Sequence, residues 1–158
     1  MSLMDFYMFA ENSPLGAWVR SYTYAFSLIQ VVHLLSMTML LGTILTVNLR
    51  LLGVAMTSRS VSEVADGVRS WSTAGYIVTV ITGFAMFSSE AIKMSDNSMW
   101  SYKISFLFVA LILQFTMYRT MTKPGRAEKN PILAKLTAVL SILLWFAVGM
   151  SARTIAFI

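Results

Sequence analysis

Residues 21–49, SYTYAFSLIQVVHLLSMTMLLGTILTVNL, run between Arg20 and Arg50 without a charge. A helix needs about 20 mostly apolar residues to cross the hydrocarbon core of a bilayer, so this stretch is long enough to span one. Outward from it, the same test finds three more candidates. Residues 70–89 carry no charge between Arg69 and Glu90. Residues 104–118 are short between Lys103 and Arg119, but Trp100, Tyr102 and Lys103 read as an interfacial start whose lysine snorkels outward. Residues 136–152 are extended by 154–158 if Arg153 snorkels in the same way. The predicted fold is all-α: a four-transmembrane-helix bundle with short interfacial helices. Residues 1–158 form a single integral membrane domain, with spans near 19–49, 70–90, 99–121 and 133–157.

Composition agrees. Of 158 residues, 57% are hydrophobic and only 12% charged, against about 25% charged in soluble domains. The absence of Cys excludes disulfides, thiolate-bound metal and thiol catalysis. A single His excludes any site that needs several imidazoles from one chain.

Ahead of the first span stand Asp5 and Glu11 but no Lys or Arg before Arg20, which does not suit a cleavable signal peptide. The N-terminus is expected to be retained. Leu3, Phe6, Tyr7 and Ala10 form an i, i+3, i+4, i+7 stripe, predicting an interfacial helix over 2–11. Ser13-Pro14 then offers an N-cap and a first helical position. Ser60-Val61-Ser62-Glu63 fits a capping box and predicts a second interfacial helix over 60–69. Residues 123–131, with Pro or Gly near both ends, read as an exposed loop.

Orientation follows from the basic residues. The first and third connections share one side and hold Arg50, Arg59, Arg69, Arg119, Lys123, Arg126, Lys129 and Lys135; Arg20, Lys93, Lys103 and Arg153 lie on the other. The positive-inside rule places the first group in the cytoplasm, and both termini then face the periplasm if the host is a Gram-negative bacterium, or otherwise the exterior. The net charge of +5 is thus a topology signal. Nucleic acid is not an expected partner, because these charges flank spans instead of forming a groove with stacking aromatics.

Polar groups at membrane depth are costly, so each one is a candidate site. Gln30, His33, Met37, Ile44 and Asn48 follow helical spacing on the first span. Gln114 and Tyr118 lie four apart on the third, and counting from the termini end puts Tyr118 about 22 Å deep and His33 about 18 Å, near enough to meet. His33 suits an axial ligand of a b-type haem, with Tyr118, Gln114 or Met37 nearby, or a Cu(I) ligand with Met37. The alternative is a histidine bonded to Gln114, Tyr118 or a carbonyl as polar glue between helices. Gly75, Thr79 and Gly83 make a small-residue stripe suited to close helix approach. Glu90, Lys93, Asp96, Lys103 and Arg153 gather at the termini ends of three spans, as snorkelling charges or as a docking lid. Arg50 would anchor the far end of the first span. No catalytic motif is present, and the carboxylates lie outside the membrane core, so an independent enzyme is not expected.

His33-Leu34-Leu35 with Gly42, the 48–53 segment NLRLLG, Trp71, Gly83, the 89–93 run SEAIK with Asn97, and Ala152-Arg153 together resemble an uncharacterised family of small four-helix bacterial inner-membrane proteins. The resemblance implies fold and localisation and carries no assigned activity. A looser likeness to copper-resistance and haem-associated four-helix membrane domains implies a redox or metal role.

Three functions remain in view. The first is an accessory or complex subunit without catalysis of its own, bound to lipids and to another membrane or periplasmic protein, or to a second copy. The second is a haem-binding electron-transfer module using His33. The third is a copper or small-molecule passage lined by Gln30, His33, Asn48, Gln114 and Tyr118.

Overall fold

The computed structural model describes residues 3–155. Its elements are helical: α1 (Leu3–Glu11), α2 (Pro14–Ser21), α3 (Ala25–Leu52), α4 (Val61–Ser89), α5 (Ala91–Ser95), α6 (Ser98–Leu113), a π-helical turn (Gln114–Tyr118), α7 (Arg119–Met121), α8 (Arg126–Lys129) and α9 (Pro131–Ile155). Four helical stretches are long and apolar enough to cross a membrane: α3, α4, the continuous run Ser98–Met121, and α9. Much of their apolar surface faces outward, as at Leu28, Val80, Phe108 and Phe146. In water that would be unfavourable; in lipid it is the expected exterior.

Two boundaries differ from the sequence reading. The first span begins at Ala25, because α2 ends at Ser21 and the chain turns through 22–24. The 60–69 stretch is not a separate interfacial helix. The capping box forms, with Glu63 N donating to Ser60 Oγ and Ser60 N to Glu63 Oε2, but it starts α4 itself, which continues to Ser89. At about 1.5 Å per residue, its 29 residues reach about 43 Å, so the first turns project past a hydrocarbon core of about 30 Å. The 123–131 loop contains the short helix α8, whose Ala127 is buried. Ser2 and the end of the fourth span beyond Ile155 lie outside the described residues.

The spans pack as two pairs, α3 with α4 and α6 with α9, joined where α3 meets α9. The small-residue stripe brings the first pair together: a Cβ on Gly75 would stand 3.0 Å from Leu40 Cβ and 3.2 Å from its Cα. At that spacing a methyl would make the neighbouring helix give by a few tenths of an ångström, so glycine suits this close approach of backbone to backbone. At the end bearing the first and third connections, Val47, Leu51, Val64, Tyr118, Met121 and Ala138 close into a core. Arg50 Nε donates to Arg59 O at 2.6 Å there, anchoring the first connection.

At the opposite end α1, α2 and α5 form a cap over α4. Ser13 Oγ accepts from Gly16 N, with Pro14 in the first turn, as its sequence position predicts. A Cβ on Gly16 would overlap the Ser88 carbonyl, so glycine lets α2 lie directly on the end of α4. Arg20 then donates to Ser89 O at 3.3 Å and Glu11 O at 2.7 Å, and Glu11 Oε2 accepts from Ile92 N at 2.6 Å. These bonds satisfy carbonyl and amide groups that helix ends leave open.

Candidate functional site: a cavity around His33

Because α4 packs on α3 and α6 on α9, a cleft remains between α4 and α6 in the half of the bundle nearest the cap. It holds a cavity of about 990 Å³, with His33, Met37, Tyr76, Gly83, Lys103 and Trp145 among its lining. Aromatic residues form its entrance. Phe87 and Trp100 stack at 5.2 Å with rings nearly parallel, and Tyr7 OH accepts from Trp100 Nε1 at 3.2 Å. Deeper in, Tyr76 packs against Trp145 at 6.4 Å between centroids. Beyond Trp145 a smaller cavity of about 330 Å³, lined by Leu41, Ile44, Asn48 and Trp145 among others, shares Leu41 and Trp145 with the first, and the core around Val47 and Tyr118 closes the connection end of the bundle.

His33 is held from two directions. Its Nδ1 lies 2.8 Å from Thr82 Oγ1. The Thr82 hydroxyl has one proton, and that proton goes to Val78 O at 2.6 Å, the usual bond of a helical threonine to its preceding turn. Thr82 Oγ1 is therefore the acceptor and His33 Nδ1–H the donor. A neutral imidazole protonated at Nδ1 carries its lone pair on Nε2. The second constraint is Gly83, at which a Cβ would stand 3.1 Å from His33 Cε1, so the ring rests on bare backbone. Beside it Ser36 Oγ lies 2.9 Å from Thr79 Oγ1 and donates to His33 O at 2.9 Å.

Gln30, His33 and Met37 line the cavity together, one helical turn apart on α3. Glu90, Lys93 and Lys103 join them nearer the mouth. Lys93 Nζ and Glu90 Oε2 are 3.9 Å apart, and Lys103 Nζ stands 5.3 Å from the Trp100 ring centroid. Asp96 caps α5 and Arg153 lies in the last turn of α9, both outside the lining. Three of the five charges expected at the termini end thus share the cavity.

Tyr118, Gln114 and Asn48 are elsewhere. Tyr118 belongs to the core at the connection end and does not meet His33. The depth count misled because α6 begins at Ser98, five residues before Lys103, and α3 begins at Ala25; Tyr118 is 20 residues into its span and His33 eight residues into α3, or about 30 and 12 Å. Gln114 is buried in the π-helical turn, with Oε1 unpaired among the described residues. Asn48 is 1% exposed and donates from Nδ2 to Ser141 Oγ at 3.0 Å, tying α3 to α9. The polar glue expected of His33 exists: its partners are the Thr82 hydroxyl and the Thr79 backbone, not Gln114 or Tyr118. The sequence held one clue, since Thr82 adjoins the Gly75-Thr79-Gly83 stripe, yet nothing there aimed its hydroxyl at His33. Among the described residues no three His, Asp or Glu side chains gather as a metal site.

No curated protein and no solved structure matches the chain. A model of a family of unknown function, DUF6644, matches residues 6–158, nearly the whole length, and the chain belongs to that family.

Proposed function

We propose that this membrane protein is a binding module that holds a b-type haem in the cavity between α4 and α6, with His33 Nε2 as the iron ligand. The observation that carries this reading is the Nδ1–H bond to Thr82, which leaves the Nε2 lone pair available in an aromatic-walled cavity. A metal-bound histidine characteristically spends its other ring N–H on such a partner, fixing tautomer and orientation. A haem would supply reversible one-electron chemistry. The chain's own part is to ligate, to orient the imidazole and to exclude water with Phe87, Trp100, Tyr76 and Trp145. His33 being the single histidine, the chain itself offers one imidazole per haem. Met37 lies one turn along the same helix and lines the same cavity.

Binding is favoured over passage because Val47, Leu51, Val64, Tyr118, Met121 and Ala138 pack into a core at the connection end of the bundle. Copper is served less well: the cavity offers His33 with the thioethers of Met37, Met86 and Met94, but among the described residues no three His, Asp or Glu side chains gather as a metal site. In this reading the protein works as a non-catalytic subunit of the bacterial inner membrane, with both termini periplasmic. It would present the cofactor on that side to another membrane or periplasmic protein, or to a second copy.

The test is a titration of the purified protein in mild detergent with haemin under reducing conditions. One equivalent should give a saturable Soret shift that His33→Ala lacks. A shift of equal size and affinity in His33→Ala would sink the proposal.

A further inference from the structure

Lys103 is placed oddly for an anchoring lysine. It enters the membrane domain at the start of the third span, yet its side chain lines the cavity and is folded over Trp100, with the ammonium 5.3 Å from the ring centroid. His33 and Lys103 line the same cavity, so two basic groups share one space. Among the described residues, Lys103 forms no ion pair. Glu90 is the one carboxylate in the lining, and it pairs with Lys93. With Lys93 and Glu90 offsetting each other, the Lys103 ammonium is left without a counter-anion. A cation held in an apolar enclosure without one is costly, and a cation–π contact offsets only part of that cost.

We infer that the cavity's ligand carries an oxyanion, a carboxylate or phosphate on an otherwise apolar body, and that Lys103 is the residue that receives it. The inference rests on the proposal that this cavity binds a ligand, and deepens it by naming the ligand's chemistry. The oxyanion has two sources: the carboxylate edge of a haem, or the head of an anionic lipid or fatty acid. In both cases the apolar body lies against Phe87, Trp100 and Trp145, and the anion sits towards the mouth.

Two pairs of probes test it, each comparing an acid with its ester. The first pair is haemin and haemin dimethyl ester, read by the Soret band. The second is dibromostearate and its methyl ester, read by tryptophan quenching in a Trp18→Phe/Trp71→Phe background that leaves Trp100 and Trp145, both of which line the cavity. The wild-type charge should favour at least one acid over its ester by about tenfold. Lys103→Met should remove that preference, and Lys103→Arg should retain most of it, separating loss of charge from loss of fold.

If haemin shows the preference and dibromostearate does not, the anion belongs to the cofactor. If only dibromostearate shows it, with no haemin binding, the oxyanion assignment stands and the haem proposal falls. Equal affinity for acid and ester in both pairs, or an unchanged preference in Lys103→Met, overturns the assignment.

Discussion

His33 Nδ1 and Thr82 Oγ1 stand 2.8 Å apart across the interface of α3 and α4, and this contact decides which ring nitrogen of the imidazole is available. Thr82→Val keeps the shape and removes the acceptor. The imidazole then loses its fixed tautomer, and haemin affinity should fall about 10- to 100-fold, as for other partners of metal-bound histidines. A Soret titration of the variant against wild type checks this; an unchanged midpoint would show that Thr82 does not orient the ligand.

Two glycines on one helix should separate packing from site. Gly75→Ala pushes into Leu40, whose Cβ and Cα would lie 3.0 and 3.2 Å from the new methyl. Backbone must move, so the expected cost is about 1–3 kcal/mol in stability. Gly83→Ala presses instead on the His33 ring at 3.1 Å, a side chain that can shift by a few tenths of an ångström. Its main effect should be on haemin binding, with little loss of stability. Denaturation in mixed micelles and the Soret titration, run on both variants, will show whether the two effects divide in this way.

Asn48 and Ser141 supply a polar tie between α3 and α9. A double-mutant cycle of Asn48→Ala and Ser141→Ala should return a coupling energy of about 0.6 kcal/mol and below about 1.7 kcal/mol, the range for hydrogen bonds between membrane helices. Haemin binding should be unaffected, because neither residue lines the cavity. A large binding defect in Asn48→Ala would reopen the passage reading.

The absence of cysteine makes orientation easy to test. Single cysteines at Asp96 and Glu128, both exposed and at opposite ends of the bundle, should differ in labelling by an impermeant maleimide on intact cells. Asp96→Cys should react from outside and Glu128→Cys only after permeabilisation. The reverse pattern would turn the cavity mouth towards the cytoplasm.

The spans were legible because length and charge placement are local properties: Arg20, Arg50, Glu90 and Lys103 mark the edges without reference to any contact. Ser13 and Ser60 likewise announce caps that need only the next three residues. The site was half legible. Cost at membrane depth singles out His33, and helical spacing puts Gln30 and Met37 on its face. Thr82 was not legible, because which of several threonines meets the histidine depends on the α3–α4 register set by Gly75 against Leu40. Tyr118 misled for a different reason: its depth depends on where α6 begins. Glu11 and Arg20 read as plain charges, yet they tie α1, α2 and α5 over α4 through backbone groups that a sequence does not display.

The central claim is that His33 Nε2 ligates a haem in the cavity between α4 and α6. The most direct measurement is the optical spectrum of the protein purified from its native membranes in mild detergent, beside that of His33→Ala purified identically. The account predicts a reducible Soret band at about one haem per chain in the wild type and none in the variant. A colourless wild-type preparation that also fails to take up haemin, or a band that survives in His33→Ala, would contradict it.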